Sequence, residues 1–260
     1  MILALAGAIL IGLSLGLLGS GGSIITVPVL VYLVGQPEKV AIAGALMIVG
    51  AISLVAALPW TWKREVEWRS VFWFGGSGMA GTWSGSWLSH WVPGELQLFL
   101  FALVMLVAAL RMGRGQVQST VPVPRRRRGL IILDGFAVGV LTGLLGVGGG
   151  FLIVPALVLL GGLPVHRAVG TSLWIIAINA FTGFVKHRAV LERQGQGLDW
   201  RLIGLFVVLG GAGAMLGNRL AGSIPQAQLR RVFAGFLVVM GGFIVWRTLP
   251  GLLHSGASGG

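Results

Sequence analysis

Apolar residues run along the chain in long blocks separated by short polar segments, at 2–34, 40–61, 70–92, 96–112, 129–161, 165–185, 200–222 and 229–249. A helix needs about 20 apolar residues to cross a bilayer. The pattern therefore predicts an all-α integral membrane protein with about eight transmembrane helices. The blocks at 2–34 and 129–161 are too long for one straight crossing, because each would make a helix of roughly 50 Å against a hydrocarbon core of about 30 Å. Both must be broken or strongly bent, and each carries a glycine cluster near its middle: Gly19-Ser20-Gly21-Gly22-Ser23 in the first and Gly146-Val147-Gly148-Gly149-Gly150 in the second.

These two blocks are copies of each other. At an offset of 127 residues, Gly16–Leu46 aligns without gaps to Gly143–Leu173, with 15 of 31 positions identical. At an offset of 132 the match continues: Trp68-Arg69 onto Trp200-Arg201, Gly78, Gly81 and Gly85 onto Gly210, Gly213 and Gly217, and Pro93 onto Pro225. The expected organisation is two tandem four-helix repeats, 1–112 and 129–250, the first helix of each broken at its glycine cluster, with a cytoplasmic basic linker at 113–128 and a flexible tail at 251–260. If every block crosses once, four spans per repeat give both halves the same orientation, related by an axis along the membrane normal. Re-entrant glycine hairpins with no net crossing would invert the halves instead.

Composition and charge agree with a lipid environment. Only 10% of residues are charged and the mean hydropathy is +0.91, whereas a soluble domain carries about 25% charged residues. The net charge of +12 sits in short segments between apolar blocks, densest at Arg125 to Arg128, which is how topology determinants rather than nucleic-acid contacts are arranged. With single crossings throughout, 14 of the Lys and Arg residues fall on one side and 5 on the other, so both termini are expected in the cytoplasm of a bacterial inner membrane. Trp60, Trp62, Trp68, Trp91, Trp200 and Trp246 mark span ends, and Trp83, Trp87 and Trp174 are expected to pack deeper. The first apolar block has no basic n-region, so it is expected to be retained in the membrane.

The chain has no cysteine, which excludes disulfides and thiolate chemistry. His90, His166, His187 and His254 are scattered, no phosphate-binding loop or nucleophile triad is present, and neither a metal nor a cofactor is expected. An enzyme is the least supported class. The chemistry points to the glycine breaks, since paired interruptions of this kind in two halves mark binding sites in transporters. A helix that restarts after such a break presents free N–H groups and a partial positive charge, and two of them converging at mid-depth would cradle an oxyanion. The candidate substrate-binding residues are Ser20, Gly21, Gly22, Ser23, Gly148, Gly149 and Gly150, with Thr171, Ser172 and Asn179 facing one cavity from the sixth span. Asp134, Lys186, His187 and Arg219 are ionisable groups near the span ends.

The duplicated GLLGxGG segment with its following Val-Pro, and the GLP and AVGTSL segments of the second half, make the sequence resemble the sulfite exporter TauE/SafE family. The second-half pattern, Gly146, Gly148, Gly149, Gly150, Pro155, Gly170, Thr171 and Ser172, is intact, while the first half has Ser20, Ser23 and Gly44-Ala45 at the corresponding places. The resemblance implies a secondary transporter of small sulfur-containing or organic anions such as sulfite, thiosulfate, sulfonate or sulfoacetate. Its partners would be that anion and the bilayer, with proton or sodium coupling left open. A passive anion channel and a non-transporting membrane scaffold remain as alternatives.

Overall fold

The computed structural model describes residues 2–19, 21–113, 128–145, 163–220 and 241–248, together with 153, 154, 156, 157, 228, 234, 235, 238 and 239. Among these residues all regular structure is helical. The helices are α1 (Ile2–Leu18), α2 (Gly22–Leu33), α3 (Glu38–Trp62), α4 (68–88), α5 (Gly94–Gly113), α6 (Arg128–Leu145), α7 (Val165–Arg193), α8 (Trp200–Leu220) and α9 (241–248). Of these, α3, α7 and α8 are long and apolar enough to cross a membrane, and α1, α2, α5 and α6 are shorter apolar helices.

Repeated sequence gives repeated local structure. Pro37 and Pro164, 127 residues apart, precede α3 and α7 with the same extended backbone, φ −56° and ψ 147° in one and φ −56° and ψ 140° in the other. A proline there fixes φ and lacks an N–H that the helix start would leave unsatisfied. At the start of α8, Asp199 Oδ1 accepts from the N–H groups of Arg201 and Leu202 at 3.0 and 3.1 Å, a side-chain cap for two free donors. Pro28 within α2 is followed by a π-helical turn over Val29–Leu33, a widening that accommodates the missing donor.

The first glycine break makes a hairpin. Gly19 has φ +67° and donates its N–H to the Leu15 carbonyl at 2.8 Å, the left-handed stop that glycine provides at a helix C-terminus. The chain then doubles back: the Gly22 backbone lies against the Ile11 carbonyl and Leu15, and Val29 and Leu33 lie against Gly7. A kinked single crossing is therefore corrected for the first half, because α2 returns to the end from which α1 started.

Helix directions follow from the glycine contacts. Gly12 and Gly16 of α1 meet the carbonyls of Gly210 and Ala214 of α8, and Gly139 and Gly143 of α6 meet those of Gly78 and Thr82 of α4. Both pairs run parallel, and each contact maps onto the other under the offsets of 127 and 132. In contrast, α3 and α7 cross antiparallel, with Gly50 against Ala180, Leu46 against Gly183 and Trp60 against Gly170. Equivalent segments therefore run in opposite directions, and the expected parallel halves are corrected to inverted ones. The physical cause is the hairpin, which removes one crossing from the count before α3.

Two ends of the bundle follow. One carries the α3–α4 turn and the ends of α5 and α6 that the basic linker joins, and the other carries the described chain ends, residues 2 and 248. The hairpin tip is also not at mid-depth. Gly19 touches Val169, eleven residues along α7 from the Gly50–Ala180 crossing, which places it about 16 Å toward the linker end at 1.5 Å per residue.

Candidate functional site

At the linker end, a cavity of about 500 Å³ opens between α3, α7, α8 and the hairpin tip, lined by Leu17, Pro59, Trp60, Trp62, Lys63, His166, Val169, Met215, Asn218 and Arg219. Its wall is held in place by hydrogen bonds. Asn218 donates its amide to the Ala56 carbonyl at 3.0 Å, which orients its oxygen toward the Trp60 indole N–H at 3.4 Å. His166 stacks edge-on to Trp60 at 4.6 Å between ring centres and pairs with Glu65 at 2.9 Å. Lys63 and Arg219 also line the cavity and form no salt bridge among the described residues.

A second cavity of about 290 Å³ lies at the opposite end, lined by Trp87, His90, Lys186, Ala189, Val190 and Arg193. Lys186, Ala189 and Val190 are the repeat equivalents of Pro59, Trp62 and Lys63, and Trp87 is the equivalent of Arg219. The two cavities thus occupy the same place in the two inverted halves, and both are basic and walled by tryptophan. Lys186 sits over the Trp83 ring at 4.6 Å from its centroid, a cation–π contact. Beside this cavity, His187 Nε2 is 2.9 Å from the Gly143 carbonyl and Ser86 donates to the same oxygen at 3.3 Å. Lys39 donates to the Ser89 and Val92 carbonyls and to Gln97 Oε1, each at 2.7 Å, while Gln97 donates to the Leu144 carbonyl at 2.8 Å. The ammonium thereby caps the C-terminal end of α4, where the carbonyl ends of the peptide dipoles collect.

Between the cavities lies the α3–α7 seam, with Leu46, Val49, Ile52 and Ala180 fully buried. The candidate residues read from the sequence fall into three groups. Ser20, Gly148, Gly149 and Gly150 lie outside the described residues. Gly21, Gly22 and Ser23 form the buried return of the hairpin, with Gly21 as the turn residue before α2. Thr171 and Ser172 are tethers: Thr171 Oγ1 accepts the Glu67 N–H at 2.9 Å, and Ser172 Oγ bonds the Gly19 carbonyl at 3.1 Å and the Val169 carbonyl at 2.8 Å. Asn179 is fully buried beside Gly78 of α4, and neither its amide nitrogen nor its oxygen has a hydrogen-bond partner. The single cavity expected to unite Thr171, Ser172 and Asn179 is not formed, since the first two close the linker-end loops while Asn179 faces α4. The helices leading into the glycine clusters, α1 and α6, also enter from opposite ends rather than converging.

Sequence reasoning missed the cavity-lining cations Lys63, Arg219, Lys186 and Arg193 as a group. The signal was present in the alignment of Pro59–Lys63 with Lys186–Val190, but the parallel reading put both segments on one side. The tryptophans also divide differently: Trp60 is buried, while Trp83 and Trp87, expected in the core, are exposed on α4.

Residues 4–244 match the family described as sulfite exporter TauE/SafE. The chain is 33% identical over 258 residues to a probable membrane transporter protein of Xylella fastidiosa strain 9a5c, covering 94% of each chain. It is 30% identical to the probable membrane transporter protein YunE of Bacillus subtilis, over 66% of this chain and 72% of the relative. A probable membrane transporter protein of Methanocaldococcus jannaschii is 24% identical, over 91% of this chain and 94% of the relative. No solved structure matches the chain.

Proposed function

The chain belongs to the sulfite exporter TauE/SafE family and is a multi-pass membrane transporter, and from its geometry we propose that it is a secondary carrier of small sulfur-containing or organic anions. The observation that carries this is the pair of basic, tryptophan-walled cavities at opposite ends, in equivalent places of the two halves. Inverted halves of this kind support alternating access, because exchanging their conformations closes one end and opens the other. Lys63 and Arg219 would receive the anion at one end, Lys186 and Arg193 at the other. A cation raises the local concentration of small anions at a cleft mouth without needing a deep site. The glycine breaks, Ser20 to Ser23 and Gly148 to Gly150, remain proposed backbone donors to the anion.

In this reading the molecule has two inverted repeats, 1–112 and 129–250, the first of which opens with the glycine hairpin. The basic residues then sort differently. Among the described residues the linker end carries Lys63, Arg64, Arg69, Arg111, Arg128, Arg167 and Arg219, and the other end carries Lys39, Lys186, Arg188, Arg193, Arg201 and Arg247; in sequence, Arg114 and Arg125 to Arg127 fall between α5 and α6. The positive-inside rule accordingly places the linker end, not the chain ends, in the cytoplasm, and we assign the protein to the bacterial cytoplasmic membrane in that orientation. The packed seam between the cavities favours a carrier over a passive channel, which needs a continuous wet path.

Uptake of ³⁵S-sulfite and ³⁵S-labelled methanesulfonate by proteoliposomes tests the proposal. A carrier shows saturable uptake stimulated by the same anion on the trans side, and Lys63→Ala and Lys186→Ala each raise the half-saturation concentration several-fold. Absence of any saturable uptake of either anion would overturn it, and large conductance without trans-stimulation would favour the channel.

A further inference from the structure

Buried hydroxyls on helices ordinarily donate to the carbonyl one turn back, which satisfies them at little cost. Among the described residues the buried Thr26, Thr142 and Thr248 and the half-buried Thr61, Ser77 and Thr182 do so, each bonding the carbonyl four residues earlier at 2.7–3.1 Å. Others, such as Ser86 and Ser172, bond a carbonyl elsewhere, but Ser53 and Thr82 do neither. Both are fully buried within α3 and α4, and their hydroxyls have no partner in the protein. With Asn179, they contribute four unpartnered polar atoms to the interior of a chain whose surroundings are hydrocarbon, where unsatisfied groups are disfavoured most.

The three side chains belong to three helices that meet at one junction. Asn179 of α7 lies against Gly78 of α4, within 2.8 Å of where a β-carbon would sit. One helical turn further on both helices, Gly183 of α7 faces Thr82 of α4 and Leu46 of α3 together. Ser53 is on the same α3 face, one turn beyond Gly50, which meets Ala180 and Phe181 of α7. The groups are therefore staggered along the seam that separates the two cavities. The pattern is not a general property of the repeat: the equivalents of Ser53, Thr82 and Asn179 are Ala180, Ala214 and Ile52. The α4–α7 interface thus carries Thr82 and Asn179 where its equivalent, α8–α3, has Ala214 and Ile52, an asymmetry expected of a site rather than of symmetric packing.

Resting on the carrier reading above, we propose that Ser53, Thr82 and Asn179 form the mid-membrane binding site through which a small oxyanion passes between the two basic cavities. Two hydroxyls and an amide offer neutral donors that can replace water around sulfite or a sulfonate group. They hold it without a counter-charge that would trap it. Gly78 packs directly on Asn179 and Gly183 on Thr82, so the site is closed in this conformation and the helices must part to admit the anion, which favours a compact oxyanion over a bulkier one.

The natural absence of cysteine makes the test direct. Ser53→Cys, Thr82→Cys and Asn179→Cys are each placed in the full chain in proteoliposomes and treated with 2-sulfonatoethyl methanethiosulfonate, itself a small sulfonate, and with its trimethylammonium counterpart. Ile176→Cys, at a fully buried apolar position of α7, is the control. The anionic reagent should label the three positions about tenfold faster than the control and faster than the cationic reagent, because a site that receives anions concentrates them, and methanesulfonate should slow the reaction. Labelling no faster than at Ile176→Cys, or without charge preference, overturns the site. Asn179→Leu supplies a second readout: it should leave the thermal midpoint unchanged or raised while lowering sulfite flux about tenfold, the loss expected from one good hydrogen bond to the passing anion. Retained flux in that variant would show that Asn179 only packs. If the wild-type chain carried no sulfite or sulfonate but the labelling pattern held, the carrier proposal would fall and the polar site would stand.

Discussion

Replacing Gly19 by alanine tests the hairpin that inverts the two halves. Three described glycines have positive φ: Gly19 at +67°, Gly35 at +80° and Gly195 at +66°. An L-residue in this region costs about 1–2 kcal/mol in backbone strain, so that part is shared by all three sites. The space around them differs. A β-carbon on Gly35 or Gly195 meets nothing within 4 Å, whereas on Gly19 it would lie 2.7 Å from Val169 Cγ1 and 3.1 Å from Val169 Cα. The side-chain methyl can rotate away, but the α-carbon of a buried helix residue cannot, and overpacking of this type costs about 1–3 kcal/mol. The sum for Gly19→Ala is about 2–5 kcal/mol, against about 1–2 kcal/mol for Gly35→Ala and Gly195→Ala. Thermal unfolding of the detergent-purified variants measures the difference, with Gly35→Ala as the matched control. The Gly19 change should also slow transport, since it pushes the hairpin tip away from Ser172, whose hydroxyl holds the Gly19 carbonyl at 3.1 Å beside the linker-end cavity. Equal midpoints for Gly19→Ala and Gly35→Ala would refute the contact with Val169, and with it the hairpin's docking against α7.

Gly139→Val and Gly210→Val should prevent recovery of a monodisperse protein, because their side chains would enter the Gly78 carbonyl and the Ile52 side chain respectively, while Gly76→Val and Gly204→Val, with open space, should purify normally by size exclusion. Lys39→Met removes three hydrogen bonds from a charged donor and should lower stability by about 2–4 kcal/mol, less than the full value of three such bonds because the lysine is partly exposed; denaturant titration in micelles checks it, and an unchanged midpoint would show that the cap contributes nothing. Single cysteines introduced as Trp62→Cys and Gly197→Cys should react with an impermeant maleimide from opposite faces of the membrane, the former from the cytoplasm. Labelling of both from one face would restore single crossings throughout and the parallel arrangement.

Much of the architecture was legible in the residues. The apolar blocks, the glycine clusters at 19–23 and 146–150 and the offsets of 127 and 132 foretold a helical membrane protein with duplicated segments, and the paired prolines Pro37 and Pro164 start their helices with the same backbone. Asn179 was also visible as a lone polar group in an apolar span. Its companions were not, because a serine or threonine in a helix usually satisfies itself on its own backbone, and nothing in the residue type says that Ser53 and Thr82 turn away from theirs. The tethering of Thr171 and Ser172 was hidden for the complementary reason: their partners Glu67 and Gly19 lie more than 100 positions away in the chain.

By itself, then, the sequence determined the solvent, the helical class, the duplication and the places where the chain must break. These depend on the length and composition of single segments and on local backbone preferences. Only the tertiary structure decided direction, depth and grouping. Hydropathy counts apolar residues without regard to which way they run, so 33 residues split by glycine are equally a bent crossing or a hairpin until Gly7 packs on Val29 and Gly22 on Ile11. That one choice inverts the halves, carries Lys63 and Lys186 to opposite ends, and leaves the unpartnered polar groups at the junction between them.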